Sequence, residues 1–384
     1  MNAILVVGAG FAGVTYAREL AENGWFVEVI DRRAHIAGNA YDEVDAHGIR
    51  RHAYGPHLFH TSNERVITWL RRFAEFVPYE HRVSAFVPRL GRCVPLPVNR
   101  GTINGVFGVN LRGAEEMREF LNRIAIPHPA PRNAAEHLES RIGRELTDLL
   151  FRPYTRKMWG MELEQIAAAV VQRIPIRHDD EDRYFPDDVH QGLPRGGYSE
   201  LVARILDHPS IRVTLATPFD KAMVRGYAAC FNSMAIDEYF DCAFGPLPYR
   251  SLRFHHRTEP NDYALGATAQ VNFTDTSDYT RQCDWSLLPG HRVRDSGAKT
   301  VTLEEPCADI ENNMERYYPV KASDGAPDAL HARYCELAKR EPDMRFIGRC
   351  GTYRYLDMDQ VINQSLQGAR AWLDRSSPIR HSAS

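Results

Sequence analysis

The sequence is short of paired cysteines, of long apolar runs and of excess positive charge, and each shortage removes a class of function. Seven cysteines stand at 93, 230, 242, 283, 307, 335 and 350, an odd number at wide spacing with no C-x-x-C pair. That fits neither a disulfide framework nor a zinc site, so no metal is expected, and it fits a reducing cytoplasm. No apolar run approaches the roughly 18 residues of a membrane span. No basic segment precedes the apolar start, so no signal peptide is expected either. The formal net charge is -3, which argues against a nucleic-acid surface but leaves room for a local arginine cluster aimed at phosphate.

What is present is 384 residues of ordinary soluble composition, 43% hydrophobic and 25% charged, long enough for two or three domains. Ala3–Val7 reads as a short buried strand. Gly8, Gly10 and Gly13 follow as G-x-G-x-x-G, then a helix from Val14 to Asn23 closed by Gly24, then a second strand, Phe26–Ile30, ending at Asp31. The first glycine permits a tight turn, the second lets backbone approach a pyrophosphate, and the third lets helix pack on strand. The helix N-terminus offers amides to the phosphates, and Asp31 can accept from a ribose hydroxyl. The rival is a structural glycine turn without cofactor. The fingerprint alone does not separate NAD from FAD. Arg33, the stretch Ile36–Ala40 with Gly38 and Asn39, and a late G-R-x-G at Gly348–Gly351 favour FAD.

Helical periodicity marks Gly113–Ile124, Asn133–Phe151 and Glu162–Val171. Arg173–Pro194 is aromatic, charged and irregular. A helix is expected at Ser199–Leu206 and a strand at Ile211–Leu215. Period-two alternation over Leu247–Phe273 and Thr300–Glu304 predicts an antiparallel sheet. A helix at Ala329–Arg340, a strand at Met344–Ile347 and a helix from Asp359 to Leu373 follow, and the polar tail is expected to be disordered.

Nine short pieces then occur in one order: YGPHLFHT (Tyr54–Thr61), PYTRKMWG (Pro153–Gly160), RIPIR (Arg173–Arg177), RYFPD (Arg183–Asp187), QGLPRGGY (Gln191–Tyr198), YRSLRF (Tyr249–Phe254), TR (Thr280-Arg281), YYP (Tyr317–Pro319) and GRCGTYRYLDMDQ (Gly348–Gln360). On these the chain resembles the bacterial UDP-galactopyranose mutase family from Gly8 to about Gln360. The resemblance implies an α/β fold: a discontinuous Rossmann-like FAD-binding domain (1–82, 192–235 and 335–384), an inserted helical domain (99–165) and an antiparallel sheet domain (83–98, 166–191 and 236–334). It implies an isomerase that interconverts the pyranose and furanose rings of a nucleotide-linked hexose. Its non-covalent FAD acts only when reduced, with N(5) as the nucleophile at the anomeric carbon. It further implies a homodimer and an external reductant.

The roles that come with the resemblance are these. Arg173 and Arg281 match the two arginines that hold the diphosphate, a task suited to a planar, permanently charged fork. Tyr184, Tyr318 and Tyr355 match phosphate-binding hydroxyls, with Asp357 beside the last. Tyr154 and Trp159 match the nucleobase platform, although aromatics at that spacing are usually core. Asn272 matches a substrate-binding position. His60 matches a residue beside the flavin and sugar, His57 and Met358 match cofactor contacts, and Arg349 matches a residue able to favour the anionic reduced ring. His57 and His60, three apart, lack further ligands for a metal.

Departures from the family cluster, on this reading, on the substrate side. His81 stands where the family has Asn. Ala37-Gly38-Asn39 replaces G-G-N. Gln282-Cys283-Asp284-Trp285 replaces an acid-histidine-lysine run, and Asn232-Ser233-Met234 replaces a Thr-Gly turn before Ile236-Asp237. Cys283, Trp285, Leu287 and Leu288 would suit the methyl group of a 6-deoxyhexose, so the sugar is open between galactose and such a relative. The rival functions are a flavin oxidoreductase and a non-catalytic nucleotide-sugar or FAD-binding protein.

Overall fold

The computed structural model describes residues 3–172 and 174–376. Five parallel strands form one sheet in the order Ile211–Thr214, Phe26–Ile30, Ala3–Val7, Ala229–Asn232, Met344–Phe346. Ala3–Val7 is buried throughout, as a central parallel strand covered on both faces must be. The helices Phe11–Glu22, Tyr198–Leu206 and Met358–Ser376 pack around the same apolar cluster, which includes Ile4, Val14, Leu20, Val202 and Leu366. Val7, Ile30 and Asn232 are in register at the carboxyl edge of this sheet, so the loops that follow them open on one crevice.

A second, seven-stranded sheet runs Tyr318–Pro319, Tyr249–Pro260, Ala298–Ala308, Arg281–Asp284, Gln270–Phe273, Val83–Val87, Arg92–Leu96. It is antiparallel except where Gln270–Phe273 lies parallel to Val83–Val87. A three-stranded sheet joins Phe59–Thr61, His190–Pro194 and Phe76–Pro78.

Between residues 100 and 172 the chain is mainly helical, and its Ile103, Leu121, Leu138, Ile142, Leu146, Leu150 and Leu163 share one core with Ala85, Val87 and Val94 of the seven-stranded sheet. The helix expected over Asn133–Phe151 is broken. Gly143 takes φ 72°, and a Cβ there would lie 2.3 Å from the Ile124 carbonyl. A π-helical turn at Thr147–Phe151 then leads into Arg152–Trp159. The periodicity survives such a bulge, so it was invisible to spacing. The stretch expected as one helix over Glu162–Val171 is a 3-10 turn, Leu163–Gln165, then Ala168–Gln172. The tail beyond Ser376 lies outside the described residues. Among the described residues no helix is long and apolar enough to cross a membrane, and no cluster of ligating side chains could hold a metal.

Candidate active site

The crevice at the parallel sheet edge is built mostly from backbone. Gly8 takes φ +102°, and a Cβ there would come 1.9 Å from Ser233 Oγ. A Cβ on Gly13 would come 1.9 Å from the Gly8 carbonyl, and one on Gly38 would come 2.9 Å from Gly10 Cα. The loop is therefore as tight as a pyrophosphate cradle requires. Gly10 begins the helix Phe11–Glu22 without any side-chain cap, which leaves first-turn amides to a ligand. Gly8, Gly10, Gly13, Asp31, Arg33, Gly38, Asn39, His57, Arg349 and Met358 all line this one cavity. It runs from the glycine loop past His57 to Leu356, longer than a pyrophosphate site alone, and its donors and shape fit FAD.

Two of these residues are already engaged. The Asp31 carboxylate accepts from the Ala9 N–H at 2.7 Å and the Arg33 N–H at 2.8 Å, so it ties the glycine loop to the second strand. Arg33 donates to Asn39 Oδ1 at 2.8 Å and to Glu315, and lies 4.3 Å over the Tyr54 ring. Glu315, which sequence reasoning missed, also pairs with Arg32. Arg33 thus clasps the cavity wall to the sheet domain.

His57 donates from Nδ1 to the Gly55 carbonyl at 2.8 Å, so in the neutral ring Nε2 is an acceptor. Burial pushes its pKa down to about 4; the Gly55 bond opposes this, and Arg349 and Arg281 add to it. Arg349 donates to the carbonyls of Leu356 and Tyr317 and lies 5.2–5.5 Å from the rings of Tyr355 and Tyr318.

A second cavity adjoins the first at Leu356, which lines both. It gathers Tyr154, Trp159, Tyr184, Asn272, Arg281, Tyr318 and Tyr355 from helix, loop, sheet and C-terminal segment. The π turn and the helix after it carry Leu150, Phe151, Tyr154, Thr155, Met158 and Trp159 to its apolar end. Tyr154 and Trp159 are therefore cavity residues, although their spacing alone read as core. Tyr318 stacks on Tyr355 at 5.4 Å and meets Trp159 edge-on at 6.4 Å. Burial, then Tyr355, push the Tyr318 hydroxyl up to about 12 against the pull of Arg281 and Arg349, so it stays a donor.

Arg281 faces Asn272 across one strand pair and Glu304 across the next. Its Nε donates to the fully buried Glu304 carboxylate, and among the described residues its terminal nitrogens have no hydrogen-bond acceptor. Burial works against both charges. Burial raises the Glu304 carboxyl, and Arg281 draws it back. Arg281 itself keeps its proton, as arginine does in proteins. Sequence reasoning missed Glu304; period-two alternation puts it on a strand but gives no sign of its partner.

Arg173 lies outside the described residues. His60, His81 and Asp357 are not among the residues lining these two cavities. His60 stacks on Phe185 at 3.4 Å and bonds Asp188 at 2.7 Å through Nδ1. His81 is 5% exposed, its ring 5.7 Å from Tyr184, and among the described residues its Nδ1 has no partner. Burial, then Arg281 and His60, lower its pKa to about 3, so it is neutral. Asp357 donates its N–H to Gln360 at the start of the last helix.

Two readings of the departures are corrected. Cys283, Trp285 and Leu288 are buried in the core beneath the parallel-sheet domain, and Leu287 is exposed. Trp285 packs on His52 and His291 and donates to Thr302. These residues give no wall for a sugar methyl. Ser233 and Met234 line the cofactor cavity, so that change is not on the substrate side.

A family model described as UDP-galactopyranose mutase matches residues 149–355, and one for an NAD(P)-binding Rossmann-like domain matches residues 6–73. The chain is 36% identical to a probable UDP-galactopyranose mutase of Klebsiella pneumoniae, over 96% of this chain and 94% of that protein. It is 35% identical to a dTDP-fucopyranose mutase of Escherichia coli, over 97% of this chain and 99% of that one. Among solved structures, a reduced UDP-galactopyranose mutase superposes with a TM-score of 0.76 at 17% identity, over 98% of this chain and 97% of that one.

Proposed function

The chain belongs to the UDP-galactopyranose mutase family, and from that premise we propose that it interconverts the pyranose and furanose forms of a nucleotide-diphosphate hexose. It is an isomerase with FAD as its cofactor. The observation that carries the reading is the shared wall at Leu356, where a dinucleotide cavity abuts one holding Arg281 and Arg354, the tyrosines Tyr184, Tyr318 and Tyr355, and an aromatic platform.

When bound and reduced, FAD supplies a nucleophilic ring nitrogen. The chain's residues do the rest. Gly8, Gly10 and Gly13 would hold its pyrophosphate, and His57, in the same cavity, would present Nε2 as an acceptor toward it. Arg349 puts fixed positive charge at the junction of the two cavities. Tyr154 and Trp159 hold the base. Arg281 binds the diphosphate with donors from Tyr184, Tyr318 and Tyr355, and steadies the charge that grows on it as it leaves. Arg173 is read as the second diphosphate arginine on the family motif alone. On the family motifs alone, Asp357 is read as an acid beside Tyr355, and His60 as a residue beside the flavin and the sugar.

The second reading keeps the chemistry and changes the substrate to a dTDP-linked 6-deoxyhexose, favoured by the near-equal identity to the dTDP-fucopyranose mutase. His81 is the remaining sequence departure beside the substrate cavity. We also read the protein as a cytoplasmic homodimer fed by an NAD(P)H-derived reductant; all seven cysteines are free, which accords with a reducing compartment. The test incubates dithionite-reduced holoprotein with UDP-galactopyranose and dTDP-fucopyranose. Conversion of either to its furanose isomer is expected; conversion of neither refutes the reading.

A further inference from the structure

One loop of the seven-stranded sheet domain reaches the cofactor cavity. It begins with a 3-10 turn, Asp309–Asn312, and its next residues Met314, Glu315 and Arg316 all line that cavity. Asn312 Nδ2 donates to the Leu252 carbonyl at 3.0 Å, which roots the loop on the strand Tyr249–Pro260. Glu315 and Arg316 are adjacent but hold different partners. The Glu315 carboxylate takes one arginine on each oxygen, Arg32 Nη2 on Oε1 at 3.2 Å and Arg33 Nη2 on Oε2. Arg316 pairs with Asp237 at 2.8 Å and with Asp309 at 3.0 Å, and its side chain is 5% exposed.

Those partners flank the glycine loop. Arg32 and Arg33 follow the strand Phe26–Ile30, and Asp237 follows Ala229–Asn232. The strand Ala3–Val7, which leads into Gly8, pairs with both and lies between them. A segment tied to both neighbours crosses the end of the middle strand. The loop is therefore a strap that faces the glycine loop across the cavity, and a pyrophosphate on those amides lies beneath it. Its two ties differ. The Asp237 carboxylate is fully buried, whereas the Glu315 side chain is 25% and the Arg32 side chain 45% exposed, so salt weakens the second tie far more than the first. The strap's own backbone does not fix its shape. Asn313 and Met314 take φ 51° and 59° in succession without glycine, a conformation that persists only where the surroundings impose it.

We propose that Glu315 is a positioning residue for the cofactor: by latching this strap to Arg32 and Arg33 it sets the rate at which FAD enters and leaves. The latch joins protein to protein, so it holds the strap down whether or not FAD lies beneath. Releasing it lowers one barrier from both sides and leaves the equilibrium nearly unchanged. Two other roles leave different traces. A carboxylate that only repelled the pyrophosphate would, once removed, quicken entry and slow release. One that bonded FAD directly would, once removed, quicken release alone. The proposal depends on the FAD cavity and not on which sugar turns over.

The test measures both rates. Release from oxidised holoprotein after dilution, and rebinding to the deflavinated full chain, are followed as free flavin in rapid ultrafiltrates. Wild type is compared with Glu315→Gln, which removes the charge, and Glu315→Asp, which keeps the charge and shortens its reach. Both variants should release and rebind FAD at least about fivefold faster than wild type, with Kd within about threefold. Wild-type release should quicken at least about threefold between roughly 0.05 and 0.5 M NaCl, and Glu315→Gln should respond less than about half as much. Release from Glu315→Gln that is unchanged or slower overturns the proposal. So does faster release without faster rebinding, which makes Glu315 a direct FAD contact. Wild-type release indifferent to salt overturns it however the variants fold. A wild type that retains no flavin overturns the cofactor reading beneath it as well.

Discussion

Seven of the ten residues expected to hold the cofactor lie within the first 39 of the chain, whereas the substrate cavity draws its walls from Leu96 to Leu356. The cofactor side is backbone: glycines at near-contact distance, uncapped amides, a carboxylate spent on two N–H groups. The substrate side is side chains, delivered by a π-bulged helix, a sheet face and a C-terminal loop. Backbone sites depend on local geometry and tolerate little; side-chain sites depend on charge and reach. The two cavities should therefore fail in different ways.

The largest effect is expected where backbone is crowded. Gly13→Ala puts a methyl group 1.9 Å from the Gly8 carbonyl, and overpacking of that kind costs about 1–3 kcal/mol or more. FAD affinity should fall roughly tenfold to a hundredfold, read by flavin absorbance after gel filtration. Full flavin content in this variant would break the comparison from the cofactor side.

Arg281→Ala should do the reverse. Losing a charge-assisted bond to phosphate removes about 1.5–3 kcal/mol, so kcat/KM should drop at least about tenfold while flavin content stays at the wild-type level. Arg173→Ala should behave alike. Near-wild-type kinetics in both variants would place the diphosphate elsewhere.

The buried histidines sharpen the contrast through pH. His57 and His81 are held near 4 and 3, below the ordinary value for histidine, chiefly by burial. The unfolded chain takes up these protons at about pH 6.5, and the folded chain does not. Stability is thus present above that pH and is lost as pH falls toward the folded values. His81→Asn should remove about one proton of this dependence, roughly 1.4 kcal/mol per pH unit between pH 6 and 5. Urea melts at both pH values read the slope, and an unchanged slope would contradict a neutral His81.

The smallest effect concerns a residue that sequence comparison flags as odd. Ala37 adopts φ 70° beside the glycine loop, a conformation that suits glycine. Ala37→Gly should raise stability by roughly 0.5–1 kcal/mol, strain relief minus added chain entropy. A drop in melting temperature would count against it.

The same contrast explains what was legible. G-x-G-x-x-G, Asp31 and Arg33 announce themselves because strand, turn and helix are consecutive. Tyr154, Trp159, Arg281 and Tyr355 were named only because they sit inside motifs of a resembling family; spacing alone assigned the first two to core. Glu304 was legible as a strand residue but not as a partner of Arg281, since what makes it matter is register across strands. Trp285 and Leu288 misled for the same reason: they follow Arg281 in sequence, yet the chain turns them into the core within a few residues.

The account's central claim is ring isomerisation by a reduced flavoprotein, and one measurement bears on it most directly. Holoprotein is incubated anaerobically with UDP-galactopyranose or dTDP-fucopyranose, oxidised in one arm and dithionite-reduced in the other, and the furanose product and the flavin spectrum are followed together. The account predicts furanose from the reduced arm alone, over many turnovers, with no net oxidation of the flavin. Equal product from both arms, or one flavin oxidised for each sugar consumed, would contradict it.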